Sequence, residues 1–125
     1  SSIIVRGEGE AESYSALLRE SIEKFYPEKK IIWNPQGEEE ADLCLAVSIT
    51  GKEKLTMDSI SRVVFAGGKA DVISANPQSL ISKAATNAIQ VSDELFFKGD
   101  EHILGKFSIL AVIEILTVLM GKDKV

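Results

Sequence analysis

The sequence predicts an α/β fold, a mostly parallel sheet covered by helices on both faces, and three observations predict it. Short strand-like runs alternate with amphipathic helical stretches along the chain, the order that builds parallel sheets. The run Leu43, Cys44, Leu45, Ala46, Val47 is apolar without alternation, as a strand buried on both faces must be. That run stops in Ser48, Ile49, Thr50 and Gly51, where two hydroxyls and a glycine precede a helical pattern. Such a turn leaves backbone N–H groups unpaired at a helix N-terminus, at the end of the sheet where parallel α/β folds bind ligands.

Taken in order, Ser2 to Gly7 is a first strand built on Ile3, Ile4 and Val5, and it leaves through Gly7, Glu8, Gly9 and Glu10. From Ala11 the apolar residues Tyr14, Leu17, Leu18, Ile22 and Phe25 recur at helical spacing, and Pro27 closes the helix. Lys30 to Trp33 is a second strand, Asn34 to Gly37 a turn, and Glu38, Glu39 and Glu40 a solvated connection into the central strand. The next helix takes Leu55, Ile60, Val63 and Val64 as its inner positions, with Met57 beside them, and stops at Gly67 and Gly68. Ala70 to Ala75 is a fourth strand broken by Asn76 and Pro77, Ser79 to Thr86 a short helix with Leu80 and Ile81 turned inward, and Ala88 to Val91 a brief fifth strand. Ser92 to Gly99 reads as a loop, and Ile103 to Met120 as a long helix, apolar nearly all round, which implies burial on more than one side.

Composition narrows the classes. The 125 residues suit one domain spanning the whole chain, and 45% hydrophobic with 26% charged residues is ordinary for a soluble globular protein. No stretch reaches the roughly 18 to 20 uncharged apolar residues of a membrane span; the nearest, Phe107 to Met120, is short and carries Glu114. The first residues do not resemble a signal peptide, since Arg6 and a run of glutamates follow three apolar residues. A single cysteine, Cys44, excludes a disulfide framework and favours a reducing, cytoplasmic setting. A net charge of −5 argues against nucleic acid as a partner.

The order DLCLAVSITGKEK, a helix, a glycine pair and KADVISANPQSLISKAA resembles the sugar isomerase (SIS) domain family. Ser48, Thr50 and Gly51 match its Ser-x-Ser-Gly-x-Thr signature. Val72, Ile73, Ala75, Asn76 and Pro77 match its following strand ending, and Ser79, Leu80, Ile81, Lys83 and Ala84 match the helix after it. The closing LGKFSILAVIEILTVLM is similar to the family's apolar C-terminal helix. The resemblance implies a three-layer α/β/α sandwich around a mostly parallel five-stranded sheet with flavodoxin-like strand order. It also implies a phosphosugar bound at the C-terminal ends of the strands, no cofactor or metal, and a homodimer through the final helix.

A dianionic phosphate needs hydroxyls, backbone N–H groups and a helix N-terminus without competing carboxylates. The resemblance implies that Ser48, Thr50, Gly51, Lys52 and the position of Glu53 line the phosphate site, together with Gly7, Gly9 and Ser13 of the first loop. Glu53 stands where the family's pattern has its third hydroxyl, and Glu8, Glu10 and Glu12 crowd the first loop; these carboxylates are expected to repel a phosphate, while Lys52, Lys54 and Lys83 offset them only if turned inward. For proton transfer between sugar carbons, the resemblance implies a glutamate near the start of the last helix; Lys106 or Phe107 stands at that position, and Glu101 and His102, about one turn earlier, are the only acid/base pair in the neighbourhood. A dinucleotide site built on Gly7 to Glu10 is rejected, because Glu12 occupies its third small position and the second strand ends in Asn34 and Pro35 without an acidic ribose ligand.

Two function classes remain open at this level. One is a carbohydrate-derivative binding domain, acting as an aldose–ketose isomerase or a sensor of sugar phosphates. The other is a degenerate domain that keeps the architecture for dimerisation or protein binding.

Overall fold

The computed structural model describes residues 2–90. Five strands, β1 (Ser2–Arg6), β2 (Lys30–Trp33), β3 (Leu43–Ser48), β4 (Lys69–Ser74) and β5 (Asn87–Gln90), form one sheet in the order β2-β1-β3-β4-β5, and every pair is parallel. Three helices connect them: α1 (Glu12–Phe25), entered through a 3-10 turn at Gly9–Ala11, α2 (Lys54–Phe65) and α3 (Leu80–Ala84). The expected fold class, strand count and strand order are all present. The loop 92–99, the candidate pair Glu101 and His102, the final helix with Glu114 and the dimer seam assigned to it lie outside the described residues.

The pleat explains the layering. Successive strand residues point to opposite faces, so Ile3, Val5, Leu45, Val47 and Ile73 join Tyr14, Leu18 and Ile22 of α1 in one core. Ile4, Cys44, Ala46, Ala70 and Val72 join Ile60 and Val63 of α2 and Ile81 of α3 in the other. Cys44 to Val47 are at most 1% exposed, as expected of a strand with helices above and below it. Burial pushes the Cys44 thiol up to about 12, so this cysteine is a packing residue rather than a nucleophile.

Four expected core positions, Phe25, Leu55, Val64 and Leu80, face solvent instead. Phe25 closes α1 at 53% exposed, Leu80 is 73% exposed while its neighbour Ile81 is buried, and Leu55 is 45% exposed. On α2 the inner face consists of Thr56, Ser59, Ile60 and Val63, with Val64 turned outward. The helix is rotated from its most apolar setting because its first turns meet polar groups. Ser59 accepts a hydrogen bond from Arg6 Nε (3.1 Å), and the Thr56 backbone N–H donates to Glu8 Oε1 (2.6 Å).

The strand order makes the chain reverse direction between β1 and β3. From β1 it turns outward to β2, then returns across β1 to place β3 on its other side. Loops leaving the C-terminal ends of β1 and β3 therefore diverge and open a crevice between them, as at the switch point of any open parallel sheet.

Candidate functional site

The β3–α2 loop is shaped around one side chain. Ser48 ends β3 fully buried, and Gly51 turns the chain at φ +76°, a left-handed conformation that favours glycine. The turn is also wedged: a Cβ at Gly51 would lie 2.4 Å from Ser79 Cβ. This forced geometry brings several donors to one point. The Glu53 carboxylate folds back into the turn and takes all of them. Ser48 Oγ donates to Glu53 Oε1 at 2.7 Å and Gly51 N–H at 3.1 Å, while Ile49 N–H and Thr50 N–H donate to Oε2 at 2.9 and 3.2 Å. Gly51 N–H also donates to Ser48 Oγ at 3.1 Å, and Lys52 N–H to Thr50 Oγ1 at 3.0 Å.

Four convergent N–H and O–H donors form an anion nest, and here an anion fills it. Burial alone would raise the pKa of Glu53. The hydrogen bonds from Ser48 and from the Ile49, Glu53 and Thr50 backbones outweigh it and hold the carboxyl below its ordinary value. Glu53 is therefore ionised at neutral pH. The expectation of a carboxylate that only repels phosphate is sharpened: the carboxylate is itself the bound group.

The β1–α1 loop is organised differently. Gly7 is a contact glycine, since a Cβ there would meet Ala11 O at 2.5 Å and Ser15 Cβ at 2.7 Å, and its N–H is held by Asn34 Oδ1 at 2.9 Å. Gly9 adopts φ +59° with nothing within 4 Å of its missing Cβ. Glu8 reaches across the crevice to accept from Thr56 N–H in the first turn of α2, favourable both as a cap and for the helix dipole. A long side chain thus performs over 48 positions of sequence what a local cap would do.

Between the two loops lies a cleft of about 540 Å³ lined by Glu8, Gly9, Glu10, Ile49, Thr50, Lys52, Glu53 and Lys54. Of the residues anticipated as ligand-binding, Thr50, Lys52, Glu53 and Gly9 border it. Ser48 and Gly51 lie behind Glu53, Gly7 packs against α1, and Ser13 is exposed on the first turn of α1 without lining the cleft. Lys52 and Lys54 line the cleft from exposed positions, and Lys83 is exposed without lining it. A larger cleft, about 640 Å³, separates Glu38–Ala41 from Ser61–Ala66, but its cation Arg62 already pairs with Glu38 at 3.4 Å, and no donors converge there.

Sequence reasoning missed two participants. Arg6 is 4% exposed, with its guanidinium donating to Ser59 Oγ and, at 2.6 Å, to the Pro35 carbonyl; it ties β1 to α2 and to the turn after β2. Burial holds its pKa below the ordinary value, with the nearby Glu8 opposing that shift only in part. The second is the Ile49 N–H. The Thr50-x-x-Glu53 spacing resembles a capping box, in which a glutamate reaches back to the N–H three residues earlier; it signals the Thr50 N–H and not the Ile49 N–H one residue further back. Trp33, at the end of β2, donates from Nε1 to Ser15 Oγ at 3.1 Å and carries Arg19 4.3 Å above its ring. Among the described residues no cluster of His, Cys, Asp and Glu could hold a metal ion, and no helix is long and apolar enough to cross a membrane.

No protein-family model and no curated protein matches the chain. Solved structures do. The Vibrio vulnificus NanR protein complexed with ManNAc-6P superimposes with a TM-score of 0.68 at 17% identity over 98% of this chain and 48% of that one. The sugar isomerase domain of an RpiR transcription factor from Sphaerobacter thermophilus gives 0.67 at 16% identity over 100% and 79%. A Bacteroides fragilis protein described as a phosphosugar isomerase involved in capsule formation gives 0.70 at 17% over 98% and 70%. The chain spans less than half of the Vibrio protein and 39% of a matching Salmonella typhimurium LT2 structure. At these identities the likeness establishes architecture, and the fold of this chain is that of a sugar isomerase domain.

Proposed function

We propose that the chain is a carbohydrate-derivative binding domain whose ligand lies in the cleft between the β1–α1 and β3–α2 loops. The observation that carries this reading is the nest itself. Ser48, Ile49, Thr50 and Gly51 direct four donors at one anionic group at the switch point of a sheet whose structural neighbours include a protein solved with ManNAc-6P. Thr50 and Lys52, with Glu8 and Glu10 opposite, offer hydrogen-bonding groups to a polyol in the same cleft. Sugar phosphates are the first ligands to test. Catalysis as an aldose–ketose isomerase would fall to Glu101 and His102, dimerisation to the apolar stretch 103–120, and the buried lone thiol of Cys44 fits a cytoplasmic setting.

A second reading, a domain that keeps this architecture for assembly or protein binding, is favoured by one observation: Glu53 already saturates the donors. Calorimetric titration of the protein with hexoses, pentoses, amino sugars and their phosphate esters separates the two. Saturable binding of any of these at up to millimolar concentration, weakened by Thr50→Ala together with Lys52→Ala, is the expected result. Absence of binding across the panel would leave the assembly reading.

A further inference from the structure

We infer that Glu53 is a specificity-determining residue that stands in for a ligand phosphate, so that the cleft takes carbohydrate derivatives that present hydroxyls, not a phosphate, to the β3–α2 loop. The inference rests on the carbohydrate-binding reading and specifies its ligand class. An anion nest of this size holds one anionic group, and the carboxylate occupies it with both oxygens, each receiving two donors between 2.7 and 3.2 Å. A phosphate entering the nest would have to displace Glu53 into a cleft that already holds Glu8 and Glu10. Glu8 is itself committed to the first turn of α2 through Thr56 N–H, so the positive end of that helix is also taken. Moving Glu53 costs its charge-assisted hydrogen bonds and adds a third carboxylate to the open rim, with only the exposed Lys52 and Lys54 to offset it.

A hydroxyl-bearing ligand meets none of these penalties. With two donors on each oxygen the Glu53 carboxylate has its lone-pair sites filled, so ligand hydroxyls would bind beside it and need not displace it. The Thr50 hydroxyl and Glu10 lie on the same cleft wall or facing it. A neutral sugar or an amino sugar is therefore compatible with the resident anion, whereas a phosphate ester competes with it.

The test uses inorganic phosphate as the probe, at constant ionic strength held with chloride, on the full chain and on Glu53→Thr and Glu53→Ala. Thermal unfolding of the wild type should be the same in phosphate as in chloride, and its Ile49, Thr50 and Gly51 amide resonances should not move. Both variants, with an empty nest, should be stabilised by phosphate beyond the chloride control. Among sugars, Glu53→Thr should gain about tenfold or more in preference for a phosphate ester over its parent sugar relative to wild type, the value of at least one charge-assisted hydrogen bond. Phosphate-dependent amide shifts in the wild type would overturn the inference without any variant, and so would variants that fold but gain nothing from phosphate. The carbohydrate reading fails separately, if the wild type binds neither sugars nor their esters while the variants still capture phosphate.

Discussion

The two loops that frame the cleft share a sequence style, a strand running through glycine and polar residues into a helix, yet they solve different problems. The β1–α1 loop spends its glycines on packing and handedness and consumes its own donors: Ala11 N–H returns to Glu8 O at 3.0 Å, and Gly7 N–H goes to Asn34. The β3–α2 loop has a single glycine, and it aims a row of donors at one point. Glycine content is thus a poor guide to anion binding in this molecule. What distinguishes the loops is whether successive N–H groups converge.

The largest expected effect tests the packing half of that contrast. Gly7→Ala places a Cβ 2.5 Å from a backbone oxygen and should destabilise the protein by roughly 3 kcal/mol through overpacking, whereas Gly9→Ala, strained only by its φ of +59°, should cost about 1 kcal/mol. Equal costs in urea denaturation would remove the distinction between a contact glycine and a conformational one.

Next, Glu53→Gln tests the donor half. Losing the ionised acceptor should lower stability by about 1 to 3 kcal/mol at neutral pH. The folded-state pKa of Glu53 is depressed, so its contribution is complete above the unfolded value, about 4.3. It is lost as pH falls through the folded value. The gap between wild type and variant should therefore narrow progressively as pH falls below the unfolded value, and a gap that widens in acid would show that the carboxylate is not what the nest holds. The smallest effect is expected at Glu8→Ala, which removes a remote helix cap for about 1 kcal/mol; amide exchange at Thr56 should accelerate while Ile49 and Thr50 are unchanged.

The sheet was legible because its cause is written locally. Leu43 to Val47 can be buried on both faces only inside a parallel sheet, and the helical spacing of Tyr14, Leu18 and Ile22 shows one face to pack. The phase of α2 was not legible, because Ser59 turns inward for a partner, Arg6, that lies 53 positions away, and the helix start is held through the Thr56 backbone N–H by Glu8, 48 positions away. Leu80 failed for another reason: α3 is five residues long, too short for periodicity to choose between Leu80 and Ile81. The turn that gathers the donors was legible in its hydroxyls and glycine. Its occupant was missed because charge was weighed without geometry: a carboxylate at the rim repels an anion, but one on a side chain long enough to fold back becomes the anion.

Gly51 carries a mechanical consequence. Its α-carbon leans on Ser79, whose hydroxyl is joined to Ser82 at 3.1 Å, and Ser82 in turn to Ser74 at 2.7 Å, so the turn rests against a buried chain of hydroxyls anchored in β4. That chain acts as a doorstop. A shift of the β3–α2 loop toward α3 would press Gly51 into Ser79 and the hydroxyl chain behind it.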